Sequence, residues 1–295
     1  MRFGSPARES RTSVRGPMAF MVRPRIYHLP NNYFGRFFVT IECMNIWVLA
    51  TDLDDTLVGE KKGLIDLFTK LHGLRQRGEI KLVYVTGRST TRYKELQNDW
   101  DLETPDALVT SVGTEIFLNE SPNASWPKIS WWDCTVLKDI LADFPELTMQ
   151  PESEQRAYKL CYFLIDRDDI ALKIQYKLKD YPVDVIYSDS HYLDILPKDV
   201  NKGSAIKHVA KQWGVDPSNI VCCGDSGNDI GMLEVNKAIV VSNAKRELLA
   251  WAKNTKNTNV YMAKKGYASG IIEGLEHFGV LNNLGTSPSL VEKLL

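Results

Sequence analysis

The 295-residue sequence has neither a long apolar run nor a surplus of charge of one sign. Its longest apolar runs, such as residues 46–50, are far shorter than the stretch of about 20 residues that crosses a bilayer. Its formal net charge of −1 argues against nucleic acid as the main partner, because binding to the phosphate backbone needs a basic surplus. We therefore expect no membrane role and no nucleic-acid partner.

Cysteine is also scarce, and its arrangement excludes two common stabilising devices. The five cysteines are odd in number and form no CxxC pair and no Cys/His spacing of a zinc site, so neither a disulfide framework nor a zinc clip is predicted. A reducing, cytoplasmic location fits this composition best. Cys222 and Cys223 lie in an apolar stretch, and we interpret them as buried small hydrophobic residues.

The two ends of the chain differ from the rest. Residues 1–43 contain seven arginines, no lysine and only two acids, and they have no sustained helical or strand period. We expect a disordered extension, a tag or a non-native start, with the natural start near Met44. An organelle transit peptide is the alternative, although no clear amphipathic helix is present. Residues 283–295 are expected to be a loosely attached tail.

From Met44 onward, apolar strands alternate with amphipathic helices. An apolar run at 46–50 ends at acidic residues, an amphipathic segment covers 64–76, and a second apolar run covers 81–85. Later segments continue the pattern, with a helix at 205–213 and strands at 220–223 and 238–241. The alternation predicts an α/β fold with a parallel sheet, helices on both faces, and ligands bound beyond the carboxyl ends of the strands.

The middle of the chain breaks this alternation. Residues 117–196 contain apparent strands at 158–165 and 183–187 without the regular intervening helices. We interpret this stretch as an inserted second domain. The core domain would then consist of residues 44–116 and 197–282.

A cluster of carboxylates directly follows the first strand, in the stretch Asp52-Leu53-Asp54-Asp55-Thr56. Crowded carboxylates repel one another, so a bound divalent cation explains them best, and oxygen ligands of this kind suit Mg²⁺. A lone Asp-x-Asp would more often be a solvated acidic turn or a helix cap.

Three further polar segments follow strands or begin helices. The stretch 86–89 (Thr-Gly-Arg-Ser) offers a hydroxyl and backbone N–H groups for phosphate oxygens, although alone it would suit a helix cap. Lys202, at the start of the later helix, is suited to neutralise phosphate charge. The stretch 223–229 (Cys-Gly-Asp-Ser-Gly-Asn-Asp) adds carboxylates that would complete a metal site. Together with Asp52 and Asp54, these segments supply the nucleophile, the proton donor and the positive charge that metal-assisted phosphoryl transfer needs.

The set DxDxT, strand-end Thr, Lys and GDxxxD resembles the haloacid dehalogenase-like phosphatase superfamily, over nearly the whole chain from Met44. The resemblance implies a Rossmann-like core with a smaller α+β cap that closes over the substrate. It also implies that Asp52 attacks phosphorus to form an aspartyl-phosphate, and that Asp54 protonates the leaving alcohol and then activates water. Thr86 and Lys202 would hold the phosphoryl group.

The same resemblance implies a Mg²⁺ cofactor. Its ligands would be the carboxylates of Asp52 and Asp225 and the backbone carbonyl of Asp54, with Asp229 in or next to the coordination shell. Thr56 would steady the loop.

Several longer stretches resemble the sucrose-phosphate phosphatase family more narrowly. They are residues 86–89, 93–96, 111–116, 144–147, 193–197, 223–229 and 241–244. This resemblance implies hydrolysis of the small-molecule sugar phosphate sucrose 6-phosphate, the final step of sucrose synthesis, and a possible sucrose-phosphate synthase partner. The chain resembles the shorter bacterial or cyanobacterial form, without the carboxyl-terminal domain of the plant members.

A disaccharide offers many hydroxyl groups, so its pocket should contain several hydrogen-bonding side chains. The candidates for substrate binding are Thr86, Gly87, Arg88, Glu115, Gln155, Arg156, Lys159, Asn201 and Lys202. Gln155, Arg156 and Lys159 would fit a solvated strand edge equally well.

Three other functions compete with this one. The first is hydrolysis of another osmolyte phosphate, such as glucosylglycerol phosphate or mannosylglycerate phosphate. The second is a phosphomannomutase-like transferase that uses the same aspartyl nucleophile. The third is an inactive binding module for a synthase, which the intact set of Asp52, Asp54, Lys202 and Asp225 argues against.

Overall fold

The computed structural model describes residues 46–281 apart from Val235, so the predictions for residues 1–43 and 283–295 lie outside the described residues. The strands are β1 (Trp47–Thr51), β2 (Ile80–Val85), β3 (Ala107–Thr110), β4 (Glu115–Leu118), β5 (Ser121–Pro122), β6 (Thr148–Met149), β7 (Leu160–Phe163), β8 (Val183–Ser188), β9 (Tyr192–Pro197), β10 (Ile220–Gly224), β11 (Lys237–Val240) and β12 (Val260–Met262). The helices are α1 (Lys61–Arg77), α2 (Thr90–Trp100), α3 (Cys134–Leu141), α4 (Asp168–Lys177), α5 (Lys202–Trp213), α6 (Ile230–Leu233), α7 (Arg246–Asn254) and α8 (Tyr267–His277).

The larger sheet has the strand order β12-β11-β10-β1-β2-β3-β4-β5. Its strands are parallel from β12 to β3, and β4 and β5 add an antiparallel edge. Apolar side chains of α1, α2 and α8 pack on one face of this sheet, and those of α5, α6 and α7 pack on the other. The predicted α/β class is confirmed, and the four strands predicted for this sheet (46–50, 81–85, 220–223 and 238–241) lie within one residue of their expected positions.

The smaller sheet is antiparallel, with the order β6-β7-β9-β8. Its core cluster joins apolar residues of α3 and α4 to those of β7 and β9. This unit, formed by β6 to β9 with α3 and α4, is called the cap below. The chain enters the cap after the edge of the larger sheet and returns at Pro197, just before α5.

The predicted start of the inserted domain at residue 117 is too early. Residue 117 lies inside β4, which pairs with β3, and the larger sheet continues through Pro122. Trp126 still packs against the core on the α5 side of that sheet. The edge strands escaped prediction because a two-residue strand such as β5 is too short to produce an alternating pattern.

The described residues bear on the expectations for membrane-spanning segments and for the cysteines. No helix within residues 46–281 is long and apolar enough to cross a bilayer. Cys222 and Cys223 are fully buried in β10, which confirms their interpretation as small hydrophobic residues. The described cysteines form no disulfide with one another.

Candidate active site

Three carboxylates meet at the carboxyl end of two central parallel strands. β1 pairs with β10, so Asp52 and Asp225, which directly follow these strands, lie side by side. Asp229 completes the group from the turn before α6. One oxygen of each residue lies within 4.8 Å of the others, and all three residues are buried.

Lys202 is the positive charge within this cluster. It is the first residue of α5, and Asn201 caps that helix by accepting a hydrogen bond from the Ser204 N–H. The Lys202 side chain is fully buried, and its Nζ donates to Asp52 Oδ1 at 2.6 Å and to Asp229 Oδ1 at 2.7 Å. Burial opposes its charge, but the Asp229 and Asp52 carboxylates outweigh burial and raise the pKa of Lys202.

The three carboxylates outnumber the single ammonium group, and the pKa values of Asp52 and Asp225 are raised. Burial raises the pKa of Asp52 well above its usual value, and the neighbouring Asp229 and Asp225 add to the rise against the pull of Lys202. Burial and Asp229 raise the pKa of Asp225 to about 7. Ionising all three acids beside a single ammonium group is therefore unfavourable. A hard divalent cation would neutralise the surplus negative charge, and the carboxylate oxygens are suitable ligands for it.

The three carboxylates are not equivalent. Asp229 Oδ2 accepts hydrogen bonds from the backbone N–H groups of Asp225 and Ser226, both at 3.0 Å, while its other oxygen binds Lys202. Thr56 Oγ1 donates to Asp225 Oδ1 at 3.0 Å, as expected for a residue that steadies the loop. Asp229 thus uses both oxygens to hold the site together, and Asp52 and Asp225 are the better placed to bind a cation.

Arg88 and Asp54 form a bidentate ion pair beside the cluster. Arg88 Nη2 donates to Asp54 Oδ1 at 2.7 Å, and Arg88 Nε donates to Asp54 Oδ2 at 2.8 Å. Thr86 is fully buried, and its Oγ1 accepts from the Arg88 N–H at 3.1 Å. The loop after β2 therefore orients the Asp54 carboxylate, in addition to presenting its own polar groups.

A cavity of about 450 Å³ lies between the two sheets, above the carboxylate cluster. Six of the predicted site residues line it: Asp52, Asp54, Gly87, Arg88, Lys159 and Asp225. Thr86, Lys202 and Asp229 are fully buried and do not line its wall.

Four predicted sugar contacts do not line the cavity, and their polar groups have other partners. Arg156 binds Glu115 Oε1 through Nε at 2.9 Å and Nη2 at 2.7 Å. The Gln155 amide bonds to the backbone of Gln150 and Cys161. Asn201 is used as the cap of α5. Sugar binding by Glu115, Gln155, Arg156 and Asn201 stays a prediction, and it would require these side chains to exchange or share their present partners.

Residues that sequence reasoning missed line the cap side of the cavity. Asp194 is buried in β9, and its Oδ1 lies 3.2 Å from Lys159 Nζ, which also donates to the Gly87 carbonyl. Burial raises the pKa of Asp194 despite this lysine. Phe163 and Tyr192 supply aromatic surface. An acid inside the apolar run 193–196 was a usable signal for Asp194, since a buried charge needs a partner.

Comparison with solved structures defines the class of this fold. A haloacid dehalogenase-like hydrolase from Bacillus subtilis superposes with a TM-score of 0.55 at 18% identity, covering 78% of this chain and 91% of that chain. The fold is therefore haloacid dehalogenase-like.

The sequence assigns the chain to a family within that class. A family model described as sucrose-6F-phosphate phosphohydrolase matches residues 46–279, and the chain belongs to this family. A probable sucrose-phosphatase of Arabidopsis thaliana is 37% identical over 257 residues, which cover 80% of this chain and 60% of that protein. The chain thus spans about 60% of the length of the plant relatives it matches.

Two shorter relatives match over nearly their whole length. The sucrose-phosphatase of Synechocystis sp. PCC6803, solved in complex with sucrose and phosphate, superposes with a TM-score of 0.76 at 34% identity and covers 80% of this chain and 98% of its own. A mannosylfructose-phosphate phosphatase from Agrobacterium fabrum is 31% identical over 242 residues, covering 79% of this chain and 97% of that protein.

Proposed function

We propose that this chain hydrolyses sucrose 6-phosphate to sucrose and phosphate, with Mg²⁺ as cofactor and Asp52 as the nucleophile. The observation that supports it most directly is the buried contact of Lys202 with Asp52 and Asp229, beside Asp225 and beneath the cavity. This arrangement holds a carboxylate, positive charge and oxygen ligands at the place where a phosphoryl group would enter.

Asp52 is oriented for attack by its bond to Lys202. Lys202 binds Oδ1, so the second carboxylate oxygen remains to form the bond to phosphorus as the bond to the sugar oxygen breaks. Asp52 and Asp225 would hold Mg²⁺, which when bound neutralises negative charge on the carboxylates and the phosphoryl oxygens. Lys202 and the N–H groups after β2 supply the remaining positive charge around the phosphoryl group.

Asp54 is the proposed proton carrier. It lines the cavity two residues after Asp52, and the Arg88 side chain fixes the direction of its carboxylate. In its protonated form Asp54 donates a proton to the leaving sugar oxygen, and its carboxylate then takes a proton from the water that attacks the phospho-enzyme. The second step releases phosphate, restores the Asp52 carboxylate and leaves Asp54 protonated again.

Sucrose 6-phosphate is the proposed substrate because the family model and the Synechocystis structure both concern sucrose phosphate chemistry. The cap side of the cavity is suited to bind a disaccharide, because both polar groups (Lys159, Asp194) and aromatic groups (Phe163, Tyr192) line it. A cytoplasmic location and a synthase partner stay predictions.

A second candidate substrate is mannosylfructose phosphate. The relative of that description matches over 97% of its length, and the cavity residues named above would suit either disaccharide. The glucosylglycerol phosphate, mannosylglycerate phosphate and phosphomannomutase-like alternatives have no comparable observation in their favour.

A substrate panel tests the proposal. Purified protein is given sucrose 6-phosphate, mannosylfructose phosphate, glucosylglycerol phosphate or glucose 6-phosphate, and phosphate release is measured with Mg²⁺ present. We expect sucrose 6-phosphate to have the highest kcat/KM, with free sucrose and no isomerised sugar phosphate as product. Hydrolysis of sucrose 6-phosphate no faster than that of glucose 6-phosphate would refute the assignment. Asp52→Asn is the matched control for contaminating phosphatases.

A further inference from the structure

The hairpin turn between β8 and β9 is the part of the cap that reaches the core beside the carboxylate cluster. Asp189 and Ser190 both adopt left-handed backbone conformations, with φ of 53° and 47°, and the His191 N–H donates to the Ser188 carbonyl. Two consecutive left-handed residues form a tight turn of defined geometry. Asp189 is therefore presented at a fixed place relative to the strands that follow and precede it.

Two side chains of the core hold this one residue. Lys245 Nζ lies 3.2 Å from Asp189 Oδ1, and Glu247 Oε1 accepts a hydrogen bond from the Asp189 N–H at 3.0 Å. Lys245 immediately precedes α7 and Glu247 belongs to its first turn. The cap turn is thus bound through both its carboxylate and its backbone.

The same two side chains bind the loops of the active site. Lys245 Nζ also lies 3.2 Å from Asp55 Oδ2, in the loop of the proposed nucleophile, and the Lys245 N–H donates to the Asp225 carbonyl at 2.7 Å. Glu247 Oε1 also accepts from the Gly227 N–H at 3.2 Å, between Asp225 and Asp229. Lys245 and Glu247 therefore link the cap turn to both carboxylate loops of the core.

We propose that Lys245 and Glu247, together with Asp189, form a cap clasp that sets the orientation of the cap over the bound sugar. On the opposite side the cap is attached through Lys159 to the Gly87 carbonyl and through Arg156 to Glu115. Attachment at one side alone leaves the cap free to rotate about it, whereas two attachments fix the distance between the cap wall and the phosphoryl site. The cap clasp residues are thus positioning residues for substrate affinity.

This inference rests on the proposed function, because affinity for a sugar phosphate is its main consequence. The groups proposed for chemistry all belong to the core, so loss of the cap clasp should weaken substrate binding more than turnover. An exposed ion pair contributes modestly, and we expect a rise in KM of about fivefold in Asp189→Asn and in Lys245→Met. In both variants we expect kcat to stay within about twofold of wild type.

A double-mutant cycle distinguishes the cap clasp from direct sugar binding, since Lys245 and Asp189 also line the cavity. If they act through each other, the double variant has a KM no higher than that of Lys245→Met alone. A KM increase in the double variant equal to the product of the two single-variant increases would overturn the proposal. An unchanged KM in Asp189→Asn, or a fall in kcat alone, would also overturn it. Lys253→Met, an exposed lysine near the end of α7, controls for the loss of one positive charge and should leave KM unchanged.

Hydrogen exchange tests the cap clasp without any substrate. The Asp189 amide should exchange more than about tenfold faster in Glu247→Ala, which removes its acceptor, than in Glu247→Gln, which keeps an acceptor oxygen. Equal exchange in the two variants would overturn the contact. If the wild-type protein failed to hydrolyse sucrose 6-phosphate, the proposed function would fail, while this exchange measurement would still decide on the cap clasp.

Discussion

Replacing Lys202 with methionine should destabilise the protein in a strongly pH-dependent way. Lys202 is fully buried and binds two buried carboxylates, those of Asp52 and Asp229. Methionine has a similar length, so the substitution removes the charge and leaves little empty volume. Removing one partner of a buried ion pair costs about 3–5 kcal/mol, because the remaining charge is buried without compensation. For a chain of this size that loss corresponds to a fall in Tm of roughly 6–20 °C.

The pH dependence follows from the Asp52 carboxylate. Burial already raises its pKa above the usual value in wild type, and loss of Lys202, the neighbour that lowers this pKa, raises it further in the folded variant. The folded variant then holds the Asp52 proton to a higher pH than the unfolded chain does, so its stability falls as pH rises from about 4 through the raised folded pKa. The difference from wild type should accordingly be small at pH 5 and large at pH 8.

The assay is denaturant unfolding of the metal-free protein at pH 5 and pH 8, with Lys207→Met as control. Lys207 is an exposed residue of the same helix, so its substitution removes an equal charge outside the buried cluster. A loss below about 1 kcal/mol at pH 8 in Lys202→Met would refute the buried ion pair, because exposed pairs contribute no more than that. An equal loss at both pH values would refute the role of the carboxylates.

Three other changes have defined outcomes. Mg²⁺ should bind about tenfold more weakly at pH 6 than at pH 8, because Asp225 with a pKa near 7 must lose its proton first; equal affinities by calorimetry would contradict this. Excess chelator should stop phosphate release and added Mg²⁺ should restore it, whereas full activity in chelator would exclude the cation. Gly113→Ala should lower stability by about 3 kcal/mol and reduce kcat, because a Cβ there would overlap the Asn201 carbonyl and displace Lys202, and φ is +104°. Gly78→Ala is its control: φ is +71° and no atom lies within 4 Å, so a loss of about 1 kcal/mol with normal kcat is expected, and equal effects of the two substitutions would contradict the argument.

The carboxylate cluster was predictable because its geometry follows from local rules. Asp52 and Asp225 each stand directly after an apolar strand, and parallel strands bring their carboxyl ends to one edge of the sheet. Lys202 was predictable as a positive charge at the start of a helix. That it would bind both Asp52 and Asp229 depends on how α5 packs against β3 and α6, which no local pattern records.

The cap side of the site was predicted less well, since its contacts join residues far apart in the chain. Glu115 and Arg156 were both proposed to bind sugar, but they bind each other across 41 positions. The Gln155 amide bonds to the backbone of Gln150, just after β6, and of Cys161 in β7, because backbone polar groups at these positions need partners. A polar side chain identified from sequence has many available partners, and only tertiary packing selects among them.

The position of the phosphoryl group during turnover tests the proposed covalent intermediate most directly. The protein is mixed with sucrose 6-phosphate and Mg²⁺, quenched in acid within the first turnover, and digested for peptide mass spectrometry, with Asp52→Asn treated in parallel. We predict one acid-stable phosphoryl group on Asp52 in wild type and none in Asp52→Asn, which should be folded and inactive. A phosphoryl group on another residue, or appreciable turnover by Asp52→Asn, would contradict it.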